Sequence, residues 1–143
     1  MRIVLDTDVM VAALRSNAGA SRQLLISALG KRFDLLLSVP LMLEYEAVLK
    51  RPEHLTAAGA TREDIDVILS ALAAVGVPVT PDFSWRPELS DPGDEMVLEA
   101  AVNGQADLVV AFNVAHLRRG ARRFGIRAIR PQEALAILEG LIS

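Results

Sequence analysis

Cysteine is absent from the 143 residues, and histidine occurs only twice, as His54 and His116, far apart in the chain. The first absence excludes disulfides and thiolate metal sites, and the second argues against a zinc centre, so any metal would be held by oxygen. No apolar run approaches the roughly 20 residues needed to span a bilayer. The start lacks a basic segment followed by a long apolar stretch, so no secretory signal is read there. These absences lead to the expectation of a cytoplasmic protein without a membrane partner. There is no internal repeat and no low-complexity segment.

What is there fits one compact α/β unit. A chain of 143 residues lies near the commonest domain size, so a single domain over residues 1–143 is expected. Hydrophobic residues make up 52% of it and the mean hydropathy is +0.34, which suits a sheet covered by helices on both faces. The same apolar fraction leaves surface that a small monomer hides poorly, and a homodimer is expected from it. The formal net charge of −3 conceals a late basic run: Arg118, Arg119, Arg122, Arg123, Arg127 and Arg130. Such a run is either a solvated helix face or, beside a phosphate-handling site, a contact for RNA phosphates.

The opening stretch MRIVLDTDVM organises the rest. Ile3, Val4 and Leu5 form a short apolar run of the kind that makes a strand buried on both faces of a parallel sheet, and Asp6 follows directly. Ligands of open α/β sheets bind outside the carboxyl ends of strands, so Asp6 and Asp8 stand where such a fold keeps its chemistry. Either could instead cap the helix that starts near Val9, Asp8 more readily than Asp6.

Further along, strands and helices alternate. Ser21 is a candidate N-cap for a helix through Leu29, Phe33 to Leu37 is a strand, and Leu41 to Lys50 a helix. Arg51 to Gly59 reads as a loop, and Thr61 with Asp64 opens a helix through Val75 as a capping box. Val77 to Thr80 is a strand whose Pro78 suits a sheet edge, and Pro81 to Pro92, with Trp85, a surface connection. Asp91 and Pro92 start a helix, Asp107 to Phe112 is a strand, and Val114 to about Phe124 is an Arg-rich helix. Ile126 to Ile129 and a helix from Pro131 close the chain. The alternation predicts a three-layer α/β/α sandwich on a mostly parallel sheet.

Individual polar residues then stand out. Glu46 has Lys50 four residues on and is read as a solvated pair, whereas Glu44 lies on or beside the apolar stripe without a cation. An inward carboxylate needs compensation, unless it merely borders the stripe and reaches water. Asp94 shares its stripe with Val97, Leu98 and Ala101, though it could serve only the helix dipole. Asn113 follows a strand at what reads as the position equivalent to Asp6, where Asn is also a common turn residue. Clustered carboxylates such as Asp6, Glu44 and Asp94 need a hard cation among them, and an all-oxygen set selects Mg²⁺ or Mn²⁺. Phosphoryl hydrolysis is the chemistry that uses such a set.

The segments LDTDVMVAAL, the helix with Leu43, Glu44 and Tyr45 before VLKRP, DPGDEMVLEAAV and LVVAFNVAHL resemble the successive motifs of PIN-domain ribonucleases, particularly VapC-like toxin components. The resemblance covers Met1 to about Pro131. It implies a PIN-like fold and a metal-dependent endoribonuclease that leaves a 5′-phosphate and a 3′-hydroxyl. It also implies an acidic pit in which Asp6 is the central ligand and Glu44 and Asp94 hold Mg²⁺ or Mn²⁺ directly or through water. An antitoxin protein, covering the pit and supplying an Arg to it, is the implied partner besides RNA. The fourth motif departs from the pattern: Ala111 and Phe112 stand where many relatives have Thr, Asn113 replaces the usual fourth Asp, and His116 stands where a further acid is often found. Asn113 brings no charge, so the resemblance supports one metal better than two. It also makes Arg118, Arg119, Arg122 and Arg123 candidates for RNA contact.

Two other readings remain open on sequence. The altered fourth motif suits a catalytically weak or inactive PIN module that binds RNA or a protein. Asp6 and Asp8 also fit the nucleophile and acid/base of a haloacid-dehalogenase-type phosphatase, although Met10 sits where Thr or Val is expected and neither Lys31 nor Lys50 has a convincing place.

Overall fold

The computed structural model describes residues 1–80 and 92–143. The expected surface connection with Trp85, and the Asp91 cap, lie outside the described residues. In chain order the elements are β1 (Arg2–Leu5), α1 (Thr7–Arg15), α2 (Ala20–Leu29), β2 (Asp34–Leu37), α3 (Val39–Leu49), α4 (Pro52–Ala58) and α5 (Arg62–Val75). There follow β3 (Val77–Pro78), α6 (Pro92–Asn103), β4 (Leu108–Val110), α7 (Val114–Arg122), β5 (Arg127–Ile129) and α8 (Pro131–Leu138). The five strands form one sheet in the order β3-β2-β1-β4-β5, with every pairing parallel. With helices packed around it, the sheet makes an α/β/α sandwich.

The apolar run of β1 dictates its central place. Ile3, Val4 and Leu5 are all fully buried, between β2 on one side and β4 on the other. Removing each from water stabilises the fold by about 1.5–3 kcal/mol. Pro78, which cannot donate to a ladder, lies in the edge strand β3 as its chemistry requires. The strand order reverses between β1 and β4, and this reversal opens a crevice at the carboxyl ends of those two strands. Asp6 lies on one lip of the crevice and residues 111–113 on the other.

Three local readings are corrected. Residues 52–58 are helical rather than loop: Pro52 starts α4 and Gly59, at φ 65°, ends it in the left-handed conformation. Ser21 is not a cap, because α2 begins one residue earlier behind Gly19. Register pairs Leu5 with Val110, so Ala111 is the counterpart of Asp6, and Asn113 lies beyond it as the residue before α7. The capping box of Thr61 and Asp64 is present, with both reciprocal bonds made.

α7 is strongly two-faced. Val114, Leu117, Gly120 and Ala121 are buried while Arg118, Arg119 and Arg122 are exposed. Gly120 lets α7 lie close to α6, since a Cβ there would come within 2.7 Å of Leu98 Cδ2. That close approach brings the start of α7 toward the first turn of α6, which carries Asp94.

Candidate active site

Asp6 leaves β1 in extended conformation, its amide donating to Val110 O at 2.9 Å. It is also the N-cap of α1, with Oδ1 accepting from the Thr7 amide at 2.8 Å. The cap therefore falls on Asp6 and not on Asp8. One carboxylate oxygen satisfies the helix end while the group as a whole stays at the crevice. Burial pushes the Asp6 carboxyl up to about 8, the charges of Asp8 and Asp94 add to the rise, and the Thr7 amide opposes it.

Asp8 stands in the first turn of α1 and reaches across to the end of β4. Its Oδ2 accepts from the Phe112 amide at 3.2 Å, tying the two lips of the crevice together. Its Oδ1 is buried without a hydrogen-bond partner among the described residues. Burial raises this carboxyl too, the Phe112 amide offsetting part of the rise.

Asp94 projects from the first turn of α6 and its side chain is 15% exposed. Nδ1 of His116 lies 3.6 Å from Asp94 Oδ2, and Nε2 of His116 lies 3.2 Å from Asn113 Nδ2. Asn113 makes no side-chain capping bond to α7; it steadies the imidazole instead. The structure thus brings Asp8 and Asp94 each within electrostatic reach of Asp6 and links Asn113 to Asp94 through His116.

Glu44 stands apart from these contacts. It is half-buried on α3 and makes no hydrogen bond or ion pair among the described residues. Glu46, by contrast, pairs with Lys50 at 3.2 Å. Beside Glu44, the fully buried Tyr45 donates its hydroxyl proton to Leu5 O, directly before Asp6. Sequence reasoning missed this role, because the bond joins residues far apart in the chain. Among the described residues, no group of three or more His, Asp and Glu side chains is gathered tightly enough to hold an ion as they stand.

The family comparison decides what this crevice belongs to. The family model described as PIN domain matches residues 2–115, a span from β1 to the start of α7 that includes all the acidic residues above. The chain belongs to the PIN-domain family. No curated protein matches the chain significantly. PIN domains are in general nucleases and bind nucleic acid, and they typically work with divalent metal ions. The phosphatase reading of Asp6 and Asp8 is superseded by this assignment.

In donor chemistry, though not in spacing, the acids of this PIN domain suit such an ion. Buried carboxylates that repel one another are costly unless a cation joins them, and here Asp6 is held well above the ordinary range by burial first and then by that repulsion. Asp8 adds a buried oxygen without a hydrogen-bond partner among the described residues. The donors are all oxygen, the chemistry that selects Mg²⁺ or Mn²⁺.

The basic face lies further along α7. Ala115, Arg118, Arg119, Arg122 and Arg123 line a hollow of about 450 Å³. The spacing of His116, Arg119 and Arg123 is that of one helix stripe, so a line of nitrogen donors leads away from Asp94. Among the described residues, no helix is long and apolar enough to cross a membrane.

Proposed function

We propose that this PIN domain is a metal-dependent endoribonuclease, the toxin component of a toxin-antitoxin pair. The observation that supports it best is the meeting of Asp6, Asp8 and Asp94 at the reversal of strand order between β1 and β4. Asp6 and Asp94 would hold Mg²⁺ or Mn²⁺, with Glu44 reaching the ion directly or through water. When bound, the ion supplies a water of lowered pKa and neutralises charge on the phosphate.

The other steps fall to the chain itself. Arg118, Arg119, Arg122 and Arg123 bind backbone phosphates and align the strand. Tyr45 fixes the backbone at Leu5 and so aims Asp6. Asn113 orients His116, whose Nδ1 faces Asp94. In the reaction, water oxygen bonds to phosphorus, the bond from phosphorus to the 3′ oxygen breaks, and that oxygen takes a proton. The products are a 5′-phosphate and a 3′-hydroxyl.

Cleavage of single-stranded and structured RNA with Mn²⁺ or Mg²⁺ tests this reading, comparing wild type with Asp6→Ala. Loss of cleavage in the variant supports it, and equal residual activity in both proteins overturns it. The second outcome is what a weak or inactive PIN module binding RNA or protein would give. That reading draws on Asn113 in place of a fourth acid and on the open spacing of the acids.

Two partners belong to the proposal. Val39 and Leu43, 72% and 60% exposed, line an apolar hollow of about 260 Å³ with Met42 and Pro78, a surface suited to a homodimer. An antitoxin would cover the acidic crevice and supply an Arg to it. A monomer by light scattering across a wide concentration range would count against the dimer.

A further inference from the structure

Phe112 joins the acidic crevice to a second hollow. Its amide donates to Asp8, and the residue also lines a cavity of about 320 Å³ shared with Ser16, Ser21, Arg130 and Gln132. None of the described residues lining this cavity is acidic.

Two helices begin there. α2 starts behind Gly19 and α8 behind Arg130, and neither has a side-chain cap. Each start carries roughly half a positive charge on amides that lack intrahelical partners. Arg130 adds a full charge: it is exposed and makes no side-chain hydrogen bond or ion pair among the described residues.

Ser21 is the independent observation. Only 4% exposed, it lines the cavity, and its hydroxyl has no hydrogen-bond partner among the described residues. Nor is that oxygen sealed inside protein, as Thr7 Oγ1 and Asp8 Oδ1 are, so it meets the cavity. A hydroxyl that opens onto the hollow with no protein partner among the described residues is free to donate to an anionic acceptor seated there.

We propose that this hollow is a phosphate subsite for the RNA strand, in which the starts of α2 and α8, Ser21 and Arg130 hold a backbone phosphate next to the one at Asp6 and Asp94. The choice of RNA as ligand rests on the nuclease reading above. The placement fits one nucleotide step: Ala12, which lines the hollow, lies one turn beyond Asp8 on α1, about 6 Å along its axis. The exposed Phe112 between the two sites offers a face for a base to stack on.

The test uses the whole protein, ¹⁵N-labelled, in EDTA, titrated with hexauridylate and separately with inorganic phosphate. The amides of Ser21, Arg22, Gln132 and Glu133 should shift with hexauridylate. Arg130→Gln should weaken that binding about tenfold and Ser21→Ala several-fold, roughly the worth of charge-assisted hydrogen bonds. Arg62→Gln, an exposed charge on α5, should leave it unchanged. Shifts with phosphate but not with hexauridylate would overturn the strand assignment, and silence of these amides with both would overturn the subsite. No divalent ion is present and nothing is cleaved, so the result is separate from whether the protein proves nucleolytic.

Discussion

The hydroxyl of Tyr45, at the buried centre of α3, donates to the carbonyl of Leu5, the last residue of β1 and the one before Asp6. Burial, and to a lesser degree the charge of Asp6, hold the phenol's pKa above its ordinary value, so it remains a donor at every working pH. A core residue is thereby joined to the aim of the central carboxylate.

Tyr45→Phe keeps the ring and removes only the donor, leaving a buried carbonyl with one partner fewer. We expect a stability loss of about 1–3 kcal/mol, together with a fall in kcat that exceeds any change in KM. Thermal melts and steady-state cleavage check both. An unchanged melt would mean that water replaces the phenol and that Leu5 is fixed by the sheet alone.

Asp6 gives a pH signature in the metal-free protein. Its carboxyl ionises near 3.8 in the unfolded chain and near 8 in the folded one, so between those values the folded state binds more protons. Stability therefore falls as pH rises from about 4 to about 8. Asp6→Asn should remove much of that fall and melt several degrees above wild type at pH 8 in EDTA, about 2–4 °C per kcal/mol for a chain of this size. Mg²⁺ should raise wild type toward the variant. Parallel melting curves for the two proteins across pH 4–9 would contradict the assignment.

Arg118 and Arg122 line both the hollow on α7 and its neighbour beside β5, and both are exposed. Replacing the pair by Gln should weaken RNA binding and reduce the slope of log K against log salt by about 1.4, if each Arg neutralises one phosphate of a single strand. The melting temperature should hardly move, because neither side chain supports the core. Affinity measured by anisotropy from 50 to 300 mM salt distinguishes this from a merely solvated face, which would leave the slope unchanged.

Local chemistry explains where the sequence was readable. The capping box of Thr61 and Asp64 joins groups three residues apart, so its bonds are written in the chain. α4 escaped because none of its residues is buried: without an apolar face it shows no periodicity, and only Pro52 and Gly59 mark its ends. Ser favours the cap position, which points to Ser21, yet the turn at Gly19 places the cap two residues earlier.

By itself, then, the sequence determined the parallel α/β architecture, the family, and the candidacy of Asp6, Glu44, Asp94 and Asn113, since strand burial, helix stripes and motif order are properties of short segments. Only the tertiary structure decided that Asp8 fastens Phe112, that His116 stands between Asn113 and Asp94, that Tyr45 braces Leu5, and that the starts of α2 and α8 face one hollow. Each of these joins residues on different elements. Their meeting depends on strand order and helix packing, which no local pattern of residues encodes.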